Sequence, residues 1–171
     1  QVKSAILLAG LQAEGETSVI EPHLSRDHTE RMFGAMGVKI ETKVVPAGME
    51  IILAQSSSRG ALHGIDIEVP GDFSAAAFFL VAGSITPSSA IVLSGIGVNP
   101  ARIGLLSILR RMGASIELEN HRIVGGEEVA DIVVTTSALS GIHIGAEDVV
   151  LAIDEIPILG VACGLADGES V

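Results

Sequence analysis

The polar residues best placed for chemistry are Gln1, Asp154 and the run Ser25-Arg26-Asp27-His28. Gln1 and Asp154 each precede a long apolar run that reads as a helix. The amino end of a helix carries partial positive charge and free N–H groups. Several such ends facing one cleft would form an anion site without many Lys or Arg side chains. A carboxylate at such an end is stabilised in its ionised form, which makes Asp154 a candidate proton acceptor. In the second cluster, a Ser hydroxyl, an Arg fork and backbone N–H groups could together hold a phosphate. On the residues alone, a simple helix cap is the stronger reading for both features.

Other chemistries find less support. His23, His28, His63, His121 and His143 have no metal-ligand spacing and are expected to face solvent. No Gly-Lys-Ser/Thr phosphate loop, dinucleotide fingerprint or nucleophile elbow occurs. Cys163 lies within an apolar helix and reads as a core thiol. A single cysteine excludes an internal disulfide and fits a reducing compartment.

The elements that must position these residues come as repeats. Gln1 to Glu16 aligns without a gap on Asp154 to Glu169, and both close on Ala-acid-Gly-Glu. Asp72 to Gly83 is a looser third copy. Each copy is a short polar entry followed by a run that is apolar nearly all round, which implies a buried helix. A second half repeats too: Glu30 to Glu41 parallels Leu106 to Glu117, each a helix running to a Met and stopping on a Gly. The unit reads as buried helix, strand, surface helix, strand, strand.

In chain order, helices are expected at Gln1–Gln12, Arg26–Met36 with Ser25 as N-cap, a stretch opened by Asp72 or Ser74, Arg102–Met112, and a last one opened by Asp154. Asn99 with Pro100 is the expected start of the fourth. Strands are expected at Thr17–Glu21, Val38–Val45, Met49–Ala54, Ile65–Val69, Ala90–Leu93, Ala114–Glu119, Arg122–Val124, Asp131–Val134 and Gly141–Ile144. Gln55–Gly60 reads as a polar loop, and Pro70-Gly71 as a domain boundary.

Of 171 residues, 48% are apolar and only 2% aromatic, so the core must be aliphatic. Few aromatics argue against a stacking surface for single-stranded nucleic acid. A formal charge of −11 argues against duplex nucleic acid. No signal peptide and no apolar run long enough to span a membrane is visible. The absent initiator Met and the end in an expected strand suggest an internal piece of a longer protein.

Several motifs together carry a resemblance. They are Gln1-Val2-Lys3-Ser4-Ala5, Glu21-Pro22, Ser25-Arg26-Asp27-His28-Thr29-Glu30-Arg31-Met32 and Val69-Pro70-Gly71-Asp72 with Ser74-Ala75-Ala76-Ala77. Asn99-Pro100-Ala101-Arg102-Ile103-Gly104, Leu109 to Ala114 and Asp154-Glu155-Ile156-Pro157 complete the set. In this order the chain resembles the enolpyruvylshikimate-phosphate synthase family along nearly its whole length.

The resemblance implies an α/β (α+β) fold, an inside-out α/β barrel of repeated βαβαββ units in two domains, with helices inside and sheets outside. Residues 1–70 would be the C-terminal part of the first domain and 71–171 part of the second. It implies an active site in the inter-domain cleft, closing on shikimate 3-phosphate. The implied reaction transfers the carboxyvinyl group of phosphoenolpyruvate to a hydroxyl of that substrate and releases phosphate, a step of aromatic amino acid biosynthesis. No metal or organic cofactor is implied.

Residue by residue, Asp154 would meet the ring hydroxyls and accept the proton, and Gln1 would touch both substrates. Ser25 would lie by the shikimate phosphate, and Arg26 would line the same pocket. The family's further phosphate- and phosphoenolpyruvate-gripping residues lie outside this stretch, so the chain by itself is expected not to catalyse. A cytoplasmic monomer, free of nucleic acid and membrane, completes the expectation. The rivals are the cell-wall UDP-N-acetylglucosamine enolpyruvyl transferase, expected to lack Ser25-Arg26-Asp27-His28 in this form, and a non-catalytic repeat scaffold.

Overall fold

The structure is a computed structural model of the 171-residue chain and describes residues 1–23, 25–54 and 62–171. The chain divides into two compact units, Gln1–Glu68 and Val69–Val171.

In the first unit the order is α1 (Val2–Gly10), β1 (Thr17–Glu21), α2 (His28–Ala35), β2 (Ile40–Val45) and β3 (Gly48–Leu53). The strands form an antiparallel sheet in the order β1-β3-β2. Its core is aliphatic apart from one ring: Leu7, Leu11, Phe33, Val38, Ile51 and Leu53. Gly48 closes the β2–β3 turn at φ 130°, where a Cβ would run into the Glu21 carbonyl oxygen.

The second unit repeats that plan. It runs α3 (Phe73–Ile85), β4 (Ala90–Gly97), α4 (Gly104–Arg111), β5 (Ser115–Val124) and β6 (Glu127–Thr135). Its sheet order, β4-β6-β5, is again first, third, second. Then come α5 (Ala146–Leu151), a single 3₁₀ turn (Ile153–Glu155) and α6 (Ile156–Leu165), which starts the next copy. Helices α3 and α6 pack together, and α3 also packs on β4 and β6. The repeated stop has a repeated cause. After α2, Val38 N–H donates to the Phe33 carbonyl at 2.9 Å, and after α4, Ala114 N–H donates to the Leu109 carbonyl at 2.9 Å. Gly37 (φ 92°) and Gly113 (φ 98°) provide the left-handed residue that this closure requires.

Several expectations are corrected. The inner-type helices are not buried all round among the described residues. Helices α1 and α3 each bury one stripe against their own sheet and leave much of the rest exposed: Leu7 is fully buried on α1 while Val2 is 76% exposed, and Phe73 is buried on α3 while Phe78 is 58% exposed. One sheet can cover only one side of a cylinder.

Residues 65–69 alternate apolar and acidic but form no strand, because no ladder partner among the described residues lies beside them; a bridge nearby joins Gly71 to Ile96. Residues 141–144 are also outside the named strands. They run beside the last residues, with Gly141 N–H donating to the Asp167 carbonyl and Ile144 N–H to the Val171 carbonyl, each at 2.7 Å. β5 is one strand where two were expected, its register shifting between Glu119 and Arg122 around Asn120 at φ 51°. Helix α5 was not anticipated. The expected Gln55–Gly60 loop lies outside the described residues. No helix among those described is long and apolar enough to cross a membrane.

Candidate functional site

Each unit holds one buried polar cluster at the head of its inner-type helix. In the first unit, Gln1 is the exposed N-cap residue of α1, its carbonyl accepting from Ala5 N–H at 2.9 Å. Near its start, Lys3 is only 8% exposed and is the one charged residue on the helix. Its ammonium lies 3.1 Å from Glu21 Oε1 and 2.7 Å from Glu30 Oε1. Glu21 stands at the end of β1 and Glu30 in the first turn of α2, so one cation ties three elements together.

Ser25 joins the same cluster, but not as a helix cap. Helix α2 starts at His28 with Asp27 as its N-cap residue. The Ser25 hydroxyl instead donates to Glu21 Oε2 at 2.6 Å, and its N–H donates to Glu21 Oε1 at 3.3 Å. The carboxylate of Glu21 therefore takes the two donors that an incoming phosphate would use, and a phosphate gains them only by displacing it. Arg26 is exposed on the segment that follows. Gln1, Ser25 and Arg26 thus belong to the first unit, with Lys3 and Glu21 linking the start of α1 to Ser25.

Partial burial pushes the Glu21 carboxyl up. The Ser25 hydroxyl, the Lys3 ammonium and the Ser25 N–H together outweigh it, and the carboxyl ends below its ordinary 4.5. A carboxyl lowered in the folded state stabilises at pH above its unfolded value, and that contribution is lost as pH falls through the folded value. The urea midpoint of the first unit is therefore expected to drop as pH falls below about 4.5. Glu21→Gln is expected to flatten that drop; an identical slope in the variant would remove Glu21 as its source.

The second unit's cluster gathers at the heads of α3 and α6. Asp72 caps α3 as expected, its carboxylate accepting from Ser74 N–H at 3.0 Å and Ala75 N–H at 3.3 Å. Arg102 comes from the turn before α4. There Asn99 Oδ1 accepts from Ala101 N–H at 2.9 Å and the Asn99 carbonyl from Arg102 N–H at 2.8 Å, which delays the helix to Gly104. Pro100 lies in that turn and not at the first helical position. Asp154 does not cap α6 either: it sits in the 3₁₀ turn, and Glu155 holds the N-cap position.

These residues form a ring. Arg102 Nη1 donates to Asp154 Oδ2 at 2.9 Å, and Nη2 donates to Ser74 Oγ at 2.7 Å. Ser74 Oγ in turn donates to Glu155 Oε1 at 2.5 Å. Glu155 Oε1 is also 3.8 Å from Arg102 Nη1. The Glu155 side chain is 1% exposed and that of Asp154 46%.

One guanidinium against Asp154 and Glu155 leaves the ring net acidic. It is thus suited to accept hydrogen bonds and protons from hydroxyls rather than to bind an anion. The free N–H groups expected at these helix heads are partly spoken for: Asp72 takes two on α3, and Pro157 has none on α6.

Sequence reasoning missed Lys3, Glu21, Glu30, Ser74, Arg102 and Glu155. Lone charges inside or beside apolar runs, as at Lys3 and Glu155, were the available signal. The five histidines are all exposed, as expected, and no group of His, Cys, Asp and Glu among the described residues could hold a metal.

Comparison with known proteins bears on all of this. The family model for EPSP synthase (3-phosphoshikimate 1-carboxyvinyltransferase) matches residues 1–171. A 3-phosphoshikimate 1-carboxyvinyltransferase of Geobacter sulfurreducens is 53% identical over 171 residues, covering 100% of this chain and 38% of the relative. One from Bacillus thuringiensis is 48% identical over the same span and share. Among solved structures, EPSP synthase from Acinetobacter baumannii superposes with a TM-score of 0.89 at 49% identity, over 100% of this chain and 38% of that one. The chain therefore spans 38% of the length of these relatives. With a match along its full length and about half its residues shared, the chain belongs to the EPSP synthase family.

Proposed function

We propose that this chain is part of an enzyme that transfers the carboxyvinyl group of phosphoenolpyruvate to shikimate 3-phosphate and releases phosphate. Asp154 accepts the proton of the attacking hydroxyl as its oxygen bonds to the enol carbon, while the displaced double-bond pair takes a proton at the methylene carbon; that carbon then gives up a proton as the C–O bond to phosphate breaks, which restores the double bond and releases phosphate. Gln1 contacts both substrates; Ser25 and Arg26 hold the shikimate phosphate. Residues 1–70 belong to the first domain of the enzyme and 71–171 to the second, a reading supported by the division of the chain into two compact units between Glu68 and Val69. The half-buried single thiol, outside both clusters, suits an enzyme of the cytoplasm, where we place it as a monomer.

The observation that carries the proposal is the Asp154 carboxylate, 46% exposed in front of a buried polar ring, in a chain of this family. To test it, the chain replaces the matching 38% of the Geobacter sulfurreducens relative, and phosphate release is followed. Release that requires both phosphoenolpyruvate and shikimate 3-phosphate is expected. A folded chimera that releases none, or that needs only one of the two, contradicts the proposal.

A further inference from the structure

We propose that Glu155 is a positioning residue for Asp154: with Ser74 it holds one side of the Arg102 guanidinium, so that Asp154 does not bear the whole of that positive charge and remains a competent proton acceptor. This rests on the role proposed above for Asp154.

The geometry points there because Glu155 is poorly explained by packing. Its side chain is 1% exposed, and its Oε2 is buried without a hydrogen-bond partner. Burying a carboxylate with an orphaned oxygen is costly, and an apolar residue of similar size would serve the core better. What Glu155 does have is one oxygen on Ser74 at 2.5 Å, with Arg102 Nη1 at 3.8 Å. The same Nη1 is 2.9 Å from Asp154. Arg102 is thus shared between a buried carboxylate and an exposed one. Take Glu155's charge away and Arg102 faces Asp154 alone; an opposite charge that close favours the ionised carboxylate and weakens it as a base.

The other charged groups around the 3₁₀ turn do not take over this role. Asp72 at the head of α3 is engaged by Ser74 and Ala75 N–H. Neither α3 nor α6 carries a charged residue within its span. On α5, Asp148 pairs with Arg111 at 2.7 Å, leaving Glu147 as the remaining acid there.

The test is a ¹³C carboxyl titration of Asp154 in the 171-residue chain, parent against Glu155→Gln and Glu155→Asp. In Glu155→Gln the midpoint is expected to move down by about half a pH unit or more. In Glu155→Asp, which keeps the charge, it is expected to stay near the parent's. An unmoved midpoint in Glu155→Gln, or equal movement in both variants, overturns the proposal. Should Glu155→Gln not fold, Glu155→Met takes its place, since an apolar side chain of similar length is tolerated where a buried charge is removed: the same downward movement is expected, and an unmoved midpoint overturns the proposal. Failure here is separable from failure of the enzymatic reading. A coupled titration alongside a fully active Asp154→Asn enzyme would sink the catalytic role and leave the coupling; an uncoupled titration with an inactive variant would do the reverse.

Discussion

Replacing Lys3 by Met is expected to destabilise the first unit by about 3–5 kcal/mol, the usual loss when one partner of a buried ion cluster is removed. Met nearly matches the Lys stem in length and is apolar, so α1 loses little packing. What it loses is the cation between Glu21 and Glu30, whose side chains are 12% and 11% exposed. Two carboxylates would then face each other half-desolvated, and Glu30 Oε2 already has no hydrogen-bond partner.

The unit has little to set against that. Its buried cluster is Leu7, Leu11, Phe33, Val38, Ile51 and Leu53. Domains of this size are marginal before any such loss. The measurement is hydrogen exchange of the β1–β3 amides in urea, with those of β4–β6 as internal reference. Early loss of protection confined to β1–β3 is expected. Adding Glu21→Gln and Glu30→Gln to Lys3→Met should restore much of it, since the orphaned charges go with their partner. Unchanged protection in Lys3→Met would mean that the cluster is not what ties α1, β1 and α2 together.

The repeat was legible because its signals are local. Met36-Gly37 and Met112-Gly113 announce a helix stop within a few residues, and both stops close with the same backbone bond. Asp72 before Phe73 announces a cap for the same reason. The clusters were not legible, because their bonds are distant in sequence. Lys3 meets Glu21 across 18 residues, Arg102 meets Asp154 across 52, and Ser74 meets Glu155 across 81. A charge in an apolar run says that burial must be compensated but not by which partner.

Ser25 is the instructive miss. Its residue type fits an N-cap, yet Glu21, four residues earlier, is the better acceptor for its proton and N–H, and Asp27 is left to start α2. The failed strand at 65–69 has the converse cause: alternation is a property of the segment, whereas a strand also needs a neighbour.

The largest expected effect belongs to Asp154→Asn. The exchange preserves shape and the hydrogen bond to Arg102 Nη1, now 2.9 Å from Asp154 Oδ2, while removing the charge proposed above to take the proton. A positioned general base contributes about 10²–10⁴-fold to rate. An amide oxygen still accepts a hydrogen bond from a ring hydroxyl, so shikimate 3-phosphate should bind within about tenfold of the parent. Loss of rate with binding kept marks an interaction made in the transition state; loss of both together would mark a residue that only holds the substrate.

The decisive measurement is kcat for phosphate release with both substrates saturating, beside the Kd of shikimate 3-phosphate, in the chimera with and without Asp154→Asn. A fall in kcat of about 10²–10⁴-fold with Kd within about tenfold is the predicted result. A kcat equal to the parent's would contradict the role of Asp154.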